Sequence, residues 1–495
     1  MKMFRLICLL LALVLSLGAL VACKKDEKSP ETTDPQDTTP TQEGNSDGQE
    51  EVVINYKDYL PEATFDYADF NVLVLDTRLD QYEVEEAADT FGEAIVLRNQ
   101  YLEDRYQVVF GFETAAKGDE FHSKCSSAIM SGKSPYDVVL ASYYFGLETA
   151  GYFRNLNDFD AFKFENPYWI GMWNENATVN DILYSAAGYS SLDVVNLVEV
   201  VFCNDYIAKQ CNLGDLGSVV KAGDWTLEKM LEYMEVATVE NGDGTQDFSD
   251  QYGLAYNLWS GRALLYCAGM RLTEYKDGEI SFNVTSEENY NIFSKVESFL
   301  LNNNYCYYGG GSGPVDGPES DINLFLNSRS LFNLNRLEFA PQVADVFKQY
   351  SVYPFPKYDS SQKEYMSTVL GHLVMGIMKN AANPEMSATV MEAMNILTYE
   401  DVRPIYYEDM MKLRYSSDAE TAEMLDLITE SVSVEFAFIN STAFESIANY
   451  PFDLIDPHHP NHNAFGGYYS FMGKFEAKLD GYLANFLTFY SDQYA

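Results

Sequence analysis

Three stretches of this chain group side chains of the kinds that bind metal ions or phosphates. Between Val239 and Asp250, oxygen donors on Asn241, Asp243, Asp247 and Asp250 stand at offsets similar to those of an EF-hand loop, with Gly244 at the turn. Val239 occupies the first ligand position and has no donor, and Asp250 is shorter than the bidentate Glu that usually closes such a loop. A polar turn is therefore the expectation, with calcium as the alternative. Asp456, His458, His459 and His462 carry donors suited to zinc, but prolines flank them, so a surface loop is expected first. Gly309-Gly310-Gly311-Ser312-Gly313 lacks the Gly-Lys-Ser/Thr that a phosphate loop needs, and reads as a connection. No Gly-x-Ser-x-Gly elbow and no His-Glu-x-x-His run occurs. No cofactor and no catalytic residue is expected.

The start of the chain has a chemistry of its own. Lys2 and Arg5 precede an almost wholly apolar run, Leu6 to Leu20, which is long enough for a signal peptide and marginal for a spanning helix. The run ends in Leu20-Val21-Ala22-Cys23, which resembles a bacterial lipobox. The expectation is a signal peptide over 1–22, cleavage before Cys23, and diacylglyceryl transfer to its thiol. Two acyl chains anchor stably where one is marginal. Residues 23–55 follow as a tether; from Asp26 to Glu51 they are rich in Thr, Pro and acids and have no aromatic residue. Such a segment buries too little apolar surface to offset its ordering entropy, and disorder is expected. The domain should then sit on the extracellular face of the membrane, held by lipid.

Charge and size bound the remainder. The chain has 495 residues, and about 440 remain after the tether, enough for two lobes. Lys and Arg number 32 against 75 Asp and Glu, a net charge of −43 that disfavours nucleic acid and anionic headgroups. Cys125, Cys203, Cys211, Cys267 and Cys306 are odd in number and irregular in spacing, which argues against a disulfide framework.

The elements that would position a site begin with an alternation. Asn71 to Leu75, Gln107 to Phe112 and Tyr136 to Leu140 read as strands, with helices over Glu93 to Arg105 and Glu120 to Met130 between them. That order predicts a parallel sheet flanked by helices. Ligands of such sheets sit beyond the carboxyl ends of the strands, at Asp76-Thr77 and Ser142-Tyr143-Tyr144. A second unit starts near Leu197 with a strand to Cys203. Thr226 reads as a helix N-cap, Gly253 to Asn257 as a strand, Leu258-Trp259-Ser260 as a loop, and Gly261 as the start of a helix. Ser330 to Leu334 reads as a strand, Tyr353-Pro354-Phe355-Pro356 as an extended crossover, and the chain from Asn383 as mostly helical.

Several stretches, in order, resemble the family 1 extracellular solute-binding lipoproteins of Gram-positive bacteria. They are Gly92-Glu93-Ala94-Ile95-Val96-Leu97-Arg98-Asn99 with Tyr106-Gln107-Val108, Tyr136-Asp137-Val138-Val139, and Asp224-Trp225-Thr226-Leu227-Glu228-Lys229-Met230. Asn241-Gly242-Asp243-Gly244, Asp250-Gln251-Tyr252-Gly253, Tyr353-Pro354-Phe355-Pro356-Lys357 and Arg403-Pro404-Ile405-Tyr406-Tyr407-Glu408 continue the series, ending at Met424-Leu425-Asp426-Leu427-Ile428. The resemblance implies an α/β fold of the two-lobed periplasmic-binding-protein type, with interleaved lobes and a hinge. Lobe 1 is expected over 56–197 plus about 335–415, and lobe 2 over 198–334 plus about 416–495. It also implies a receptor, not an enzyme, that closes around a small solute and delivers it to ABC permease subunits, acting as a monomer. Relatives often carry an acid at the position of Val239, so this departure weighs against calcium.

A carbohydrate is the expected solute. Sugars offer C–H faces to aromatic rings and hydroxyls to Asp, Asn and Arg. Trp259, Tyr143 and Tyr144 are the expected platforms; Asp76, Arg336 and His372 are the expected polar contacts. Trp169, Trp173 and Trp225 read as structural. Two alternatives stand: an exported polysaccharide-degrading enzyme, which needs two carboxylates about 5–10 Å apart, and a peptide-binding lipoprotein of the same fold.

Overall fold

A computed structural model describes residues 54–491, apart from 85, 277–278, 311–316, 408–418, 463 and 465. Cys23, the signal segment, most of the tether and Gly311 to Gly313 lie outside the described residues. No described helix is long and apolar enough to cross a membrane.

The first sheet is built as the alternation requires. Strands β1 (Ala68–Leu75), β2 (Val108–Ala115) and β3 (Val138–Ser142) run parallel, with β1 between the other two. Helix Thr90–Tyr106 joins β1 to β2; Asp89 caps it by accepting from Gly92 N. Helix Gly118–Ser131 joins β2 to β3. Every residue of β3 is buried, as befits a strand covered on both faces.

The second sheet has order β10-β4-β9-β5-β8. Its strands are β4 (Glu199–Cys203), β5 (Tyr252–Tyr256), β8 (Cys306–Tyr308), β9 (Ser330–Arg336) and β10 (Ser351–Tyr353). A hairpin, β6 (Thr273–Lys276) with β7 (Glu279–Phe282), stands apart. Strand β11 (Leu373–Ile377) returns to the first sheet, antiparallel to β3.

Two boundaries of the expected lobes shift. Ser351–Tyr353 pairs with β4, so the chain stays in the second lobe past residue 335 and crosses back between β10 and β11. The end of the chain, assigned to the second lobe, also reaches the first, where the Phe489 and Tyr490 carbonyls accept from Tyr184 and Asn180. Both departures come from pairings between residues far apart in the chain, which local pattern does not encode.

Three crossing segments lie side by side between the sheets. Val198 bridges Val369, and Ser367 bridges Val432, so the segment 367–369 is central. Glu199 N donates to Thr368 O at 3.1 Å, and Ser433 N to Ser367 O at 2.8 Å.

Candidate binding cleft

From the first lobe, β3 ends at Ser142 and the chain turns through a short 3-10 helix, Tyr143–Phe145. Leu373 is the register partner of Ser142, so His372, just before β11, comes beside Tyr143. Their rings are 5.0 Å apart, Tyr144 lies 4.5 Å from Tyr143, and the Tyr143 hydroxyl accepts from Gly371 N. Trp173, on helix Gly171–Ala177, packs edge-on 5.6 Å from His372.

The second lobe answers with Trp259. The expected loop over Leu258-Trp259-Ser260 is not formed; helix Leu258–Cys267 begins there. Asn257 and Ser260 make a capping box, each side chain accepting from the other's backbone, which satisfies donors at the helix start three residues earlier than expected. Asn257 is itself held by Asp321, whose carboxylate also accepts from Asn333 at 2.9 Å and Asn335 at 3.0 Å. Trp259 thus projects from a rigid first turn, 6.1 Å from Tyr144 across the seam. The guanidinium groups of Arg262 and Arg336 each lie 5.4 Å from its ring.

An ionic string borders these rings. Glu199 and Arg336 are register partners on β4 and β9. The Arg336 Nε stands 3.7 Å from Glu199 Oε1, an ion pair beyond hydrogen-bond reach. Arg336 also meets Glu338 at 3.4 Å. Arg78, which follows β1, donates to Asp193 at 2.6 Å and approaches Glu338 at 3.7 Å. Arg262 pairs with Asp453 at 3.1 Å. Burial raises the Asp193 carboxyl despite Arg78, and pushes Glu199 up to about 7 despite Arg336. Burial also drives His372 down to about 3, so its imidazole is neutral.

Several buried polar atoms here have no hydrogen-bond partner within the protein. They are Tyr144 Oη, Trp173 Nε1, both ring nitrogens of His372, both carboxylate oxygens of Glu199, and the Nε atoms of Arg262 and Arg336. Such groups are rare in folded chains, and each costs about 1–3 kcal/mol. The set mixes donors with acceptors and draws on both lobes.

The expected site residues fare differently. Tyr143, Tyr144, Trp259, Arg336 and His372 come together in one cluster, with Tyr143 and His372 buried in it. Asp76 is exposed at the start of its 3-10 helix, and it is Arg78, two residues on, that reaches Asp193 and Glu338. Trp169 and Trp225 donate their indole N–H groups to Glu392 and Pro354 O, as structural tryptophans do. Trp173 is as buried as they are, yet its N–H is among the orphans. Arg78, Trp173, Asp193, Glu199 and Arg262 carried no spacing signal; only strand register and the cap at Asn257 place them.

The metal candidates have other partners. Asp250 accepts from Asn241 N and Asp247 N, Asn241 from Asp243 N, Asp243 from Thr245 N, and Asp247 from Ser249 N. These oxygens cap their own loop. His458 stacks on Tyr308, His459 faces Asp453 at 3.7 Å, and His462 Nδ1 lies 3.1 Å from Leu454 O. Among the described residues, no three His, Cys, Asp or Glu side chains are grouped to hold a metal ion. A cavity of about 620 Å³ on the second lobe, lined by Gly269, Glu287, Asn291, Tyr358 and Gln362, shares no residue with the ring cluster.

No family model matches the sequence, and no curated protein does. Solved structures match its fold. The ABC substrate-binding protein Lmo0181 from Listeria monocytogenes, solved with cycloalternan, is 12% identical with a TM-score of 0.54, over 85% of this chain and 100% of its own. A cyclo/maltodextrin-binding protein solved with maltotetraose is 11% identical with a TM-score of 0.56, over 83% and 97%. The sugar-binding protein MalE from Xanthomonas citri is 13% identical with a TM-score of 0.55, over 84% and 98%. Over most of its length, this chain has the two-lobed α/β fold of these ABC sugar-binding proteins.

Proposed function

We infer that the chain is a solute receptor of an ABC importer, tethered to the outer face of the membrane through Cys23, and that its solute is a sugar or oligosaccharide. One observation carries this reading: buried, unpartnered donors and acceptors from both lobes surround an aromatic pair at the seam. A polyhydroxylated solute supplies both kinds of partner to those atoms while its C–H faces stack on Trp259 or Tyr144. A peptide would offer alternating backbone groups but little that stacks. The structural neighbours are named as binding proteins, which favours capture over hydrolysis.

The mechanism is hinge closure. The three crossing segments hold the lobes, and a solute that touches both stabilises the closed form by its differential contacts. Glu199 and Arg336 lie at the foot of the cleft, beside the central crossing. Solute hydroxyls would accept from the Arg336 Nε and donate to Glu199.

Thermal unfolding of the soluble domain, from about residue 52, tests the reading against mono- and oligosaccharides, peptides and calcium. A ligand of the folded state adds about 2.7 kcal/mol of stability at a hundredfold excess over Kd. A raised midpoint with one sugar class is expected. Shifts with peptides alone would replace the solute class. Turnover of a glycan would replace receptor with enzyme.

A further inference from the structure

The end of the chain ties the lobes together by a route separate from the three crossing segments. Helix Gly467–Phe489 has 23 residues, a length of about 34 Å. Its first half rests on the second lobe. Tyr468 donates to Val284 O at 2.8 Å and packs 4.7 Å from Phe293, Tyr469 stacks on Tyr290 at 4.7 Å, and Glu476 accepts from Thr285 at 2.8 Å. Its far end rests on the first lobe. Tyr184 donates to Phe489 O at 2.6 Å, Asn180 donates to Tyr490 O at 3.0 Å, and the Tyr490 ring lies 5.1 Å from that of Tyr184. Tyr184 belongs to the first lobe because Ala186, two residues on, bridges Met375 of β11. In between, Phe486 packs on Phe436 and Phe444, just beyond the crossing segment 431–433.

We propose that this helix is a strap: its first half stays on the second lobe, and its last turns bind and release Asn180–Tyr184 of the first, which sets how far the cleft opens. A hinge rotation moves the lobes relative to one another, so a rod docked on both must slide, bend or let go at one end. The contacts say which end. On the second lobe two tyrosine rings, a hydrogen bond to the backbone and a carboxylate contact hold the helix. On the first, the buried rings of Phe486 and Tyr490 hold it with two hydrogen bonds to the carbonyls of 489 and 490, and those lie in the terminal turn, where helices fray. One glycine softens the rod between. A Cβ at Gly481 would meet nothing within 4 Å, so no close packing requires glycine there. It weakens the helix relative to alanine by about fivefold in local equilibrium.

The strap regulates the same cleft that the receptor reading concerns, but its test needs no solute. The unliganded soluble domain is compared with Asn180→Gly/Tyr184→Phe, which removes both hydrogen bonds to the strap end while keeping the left-handed backbone at 180, and with Gly481→Ala, which stiffens it. Hydrogen exchange over residues 480–490 and the radius of gyration by small-angle scattering are the readouts. Release at Asn180 and Tyr184 should speed exchange over 480–490 severalfold and enlarge the radius of gyration, while exchange over 467–476 is unchanged. Stiffening should slow exchange over 480–490 by about fivefold and leave the radius equal or smaller. Equal exchange and equal radius in all three folded proteins, judged by retained thermal midpoints, would overturn the strap. So would exchange that rises uniformly along the helix, which marks general destabilisation. Neither result depends on which solute binds.

Discussion

Glu199 sets the terms at the residue scale. Its carboxylate is fully buried, lacks a hydrogen bond and is pushed up to about 7; burial holds Glu148 and Glu392 at about 7 as well. In the unfolded chain these groups ionise near the ordinary value of about 4.3. Between that pH and about 7 the folded chain binds more protons than the unfolded one, so their contribution is full below pH 4 and is lost as pH rises through about 7. The unfolding free energy should therefore fall across that window and level above it, by on the order of 1–3 kcal/mol per group. Denaturant midpoints from pH 4.5 to 8 check this, and Glu199→Gln should flatten the slope; an unchanged slope would remove Glu199 from the account. Trp259 supports a second expectation. Trp259→Ala should lower solute affinity by roughly thirtyfold, about 2 kcal/mol, with little change in midpoint, as calorimetric titration can show. The aromatic members of the cluster were readable because Tyr143 and Tyr144 follow a strand and Trp259 lies near another's end. Glu199 and Arg336 meet only through the pairing of β4 with β9, which no local pattern announces.

The first sheet was legible at the element scale because its apolar runs and helical periods are long and bounded by polar residues. The structure starts β1 earlier, at Ala68, moves β2 to Val108–Ala115 and β3 to Val138–Ser142, and leaves their order intact. Pattern alone starts the helix at Gly261, three residues late, because its apolar period becomes regular only after the capping box. A second element depends on close approach rather than on pattern. Gly253, the second residue of β5, faces helix Leu227–Ala237, and a Cβ there would lie 2.4 Å from Met234 Cα. That contact is with backbone, so the strand or the helix must move. Gly253→Ala should destabilise the second lobe by about 1–3 kcal/mol, seen as a lowered denaturant midpoint. Because β5 leads directly into Asn257 and Trp259, the same variant should weaken solute binding even where the protein remains folded. Retained affinity with a lowered midpoint would separate the strand's packing from the position of Trp259.

At the scale of the whole molecule, the two interleaved lobes were legible and the pairing of the crossing segments was not, because bridges such as Val198 to Val369 join residues whose own neighbourhoods look like ordinary strand. Charge is the property that acts on every part at once. A net charge of −43 repels itself over distances that local ion pairs do not cancel. Closure brings two acidic lobes nearer, so repulsion opposes closure as well as folding. Screening weakens both effects, since the Debye length shrinks from about 10 Å at 0.1 M salt to about 3 Å at 1 M. Adding sodium chloride over that range should raise the thermal midpoint of the unliganded domain and shrink its radius of gyration. The half-buried pairs Arg78–Asp193 and Arg262–Asp453 are screened less than surface charges and should not reverse the trend. If the midpoint instead falls with salt, short-range ion pairs outweigh long-range repulsion, and the acidic surface owes its tolerance to pairing rather than to dilution over a large area.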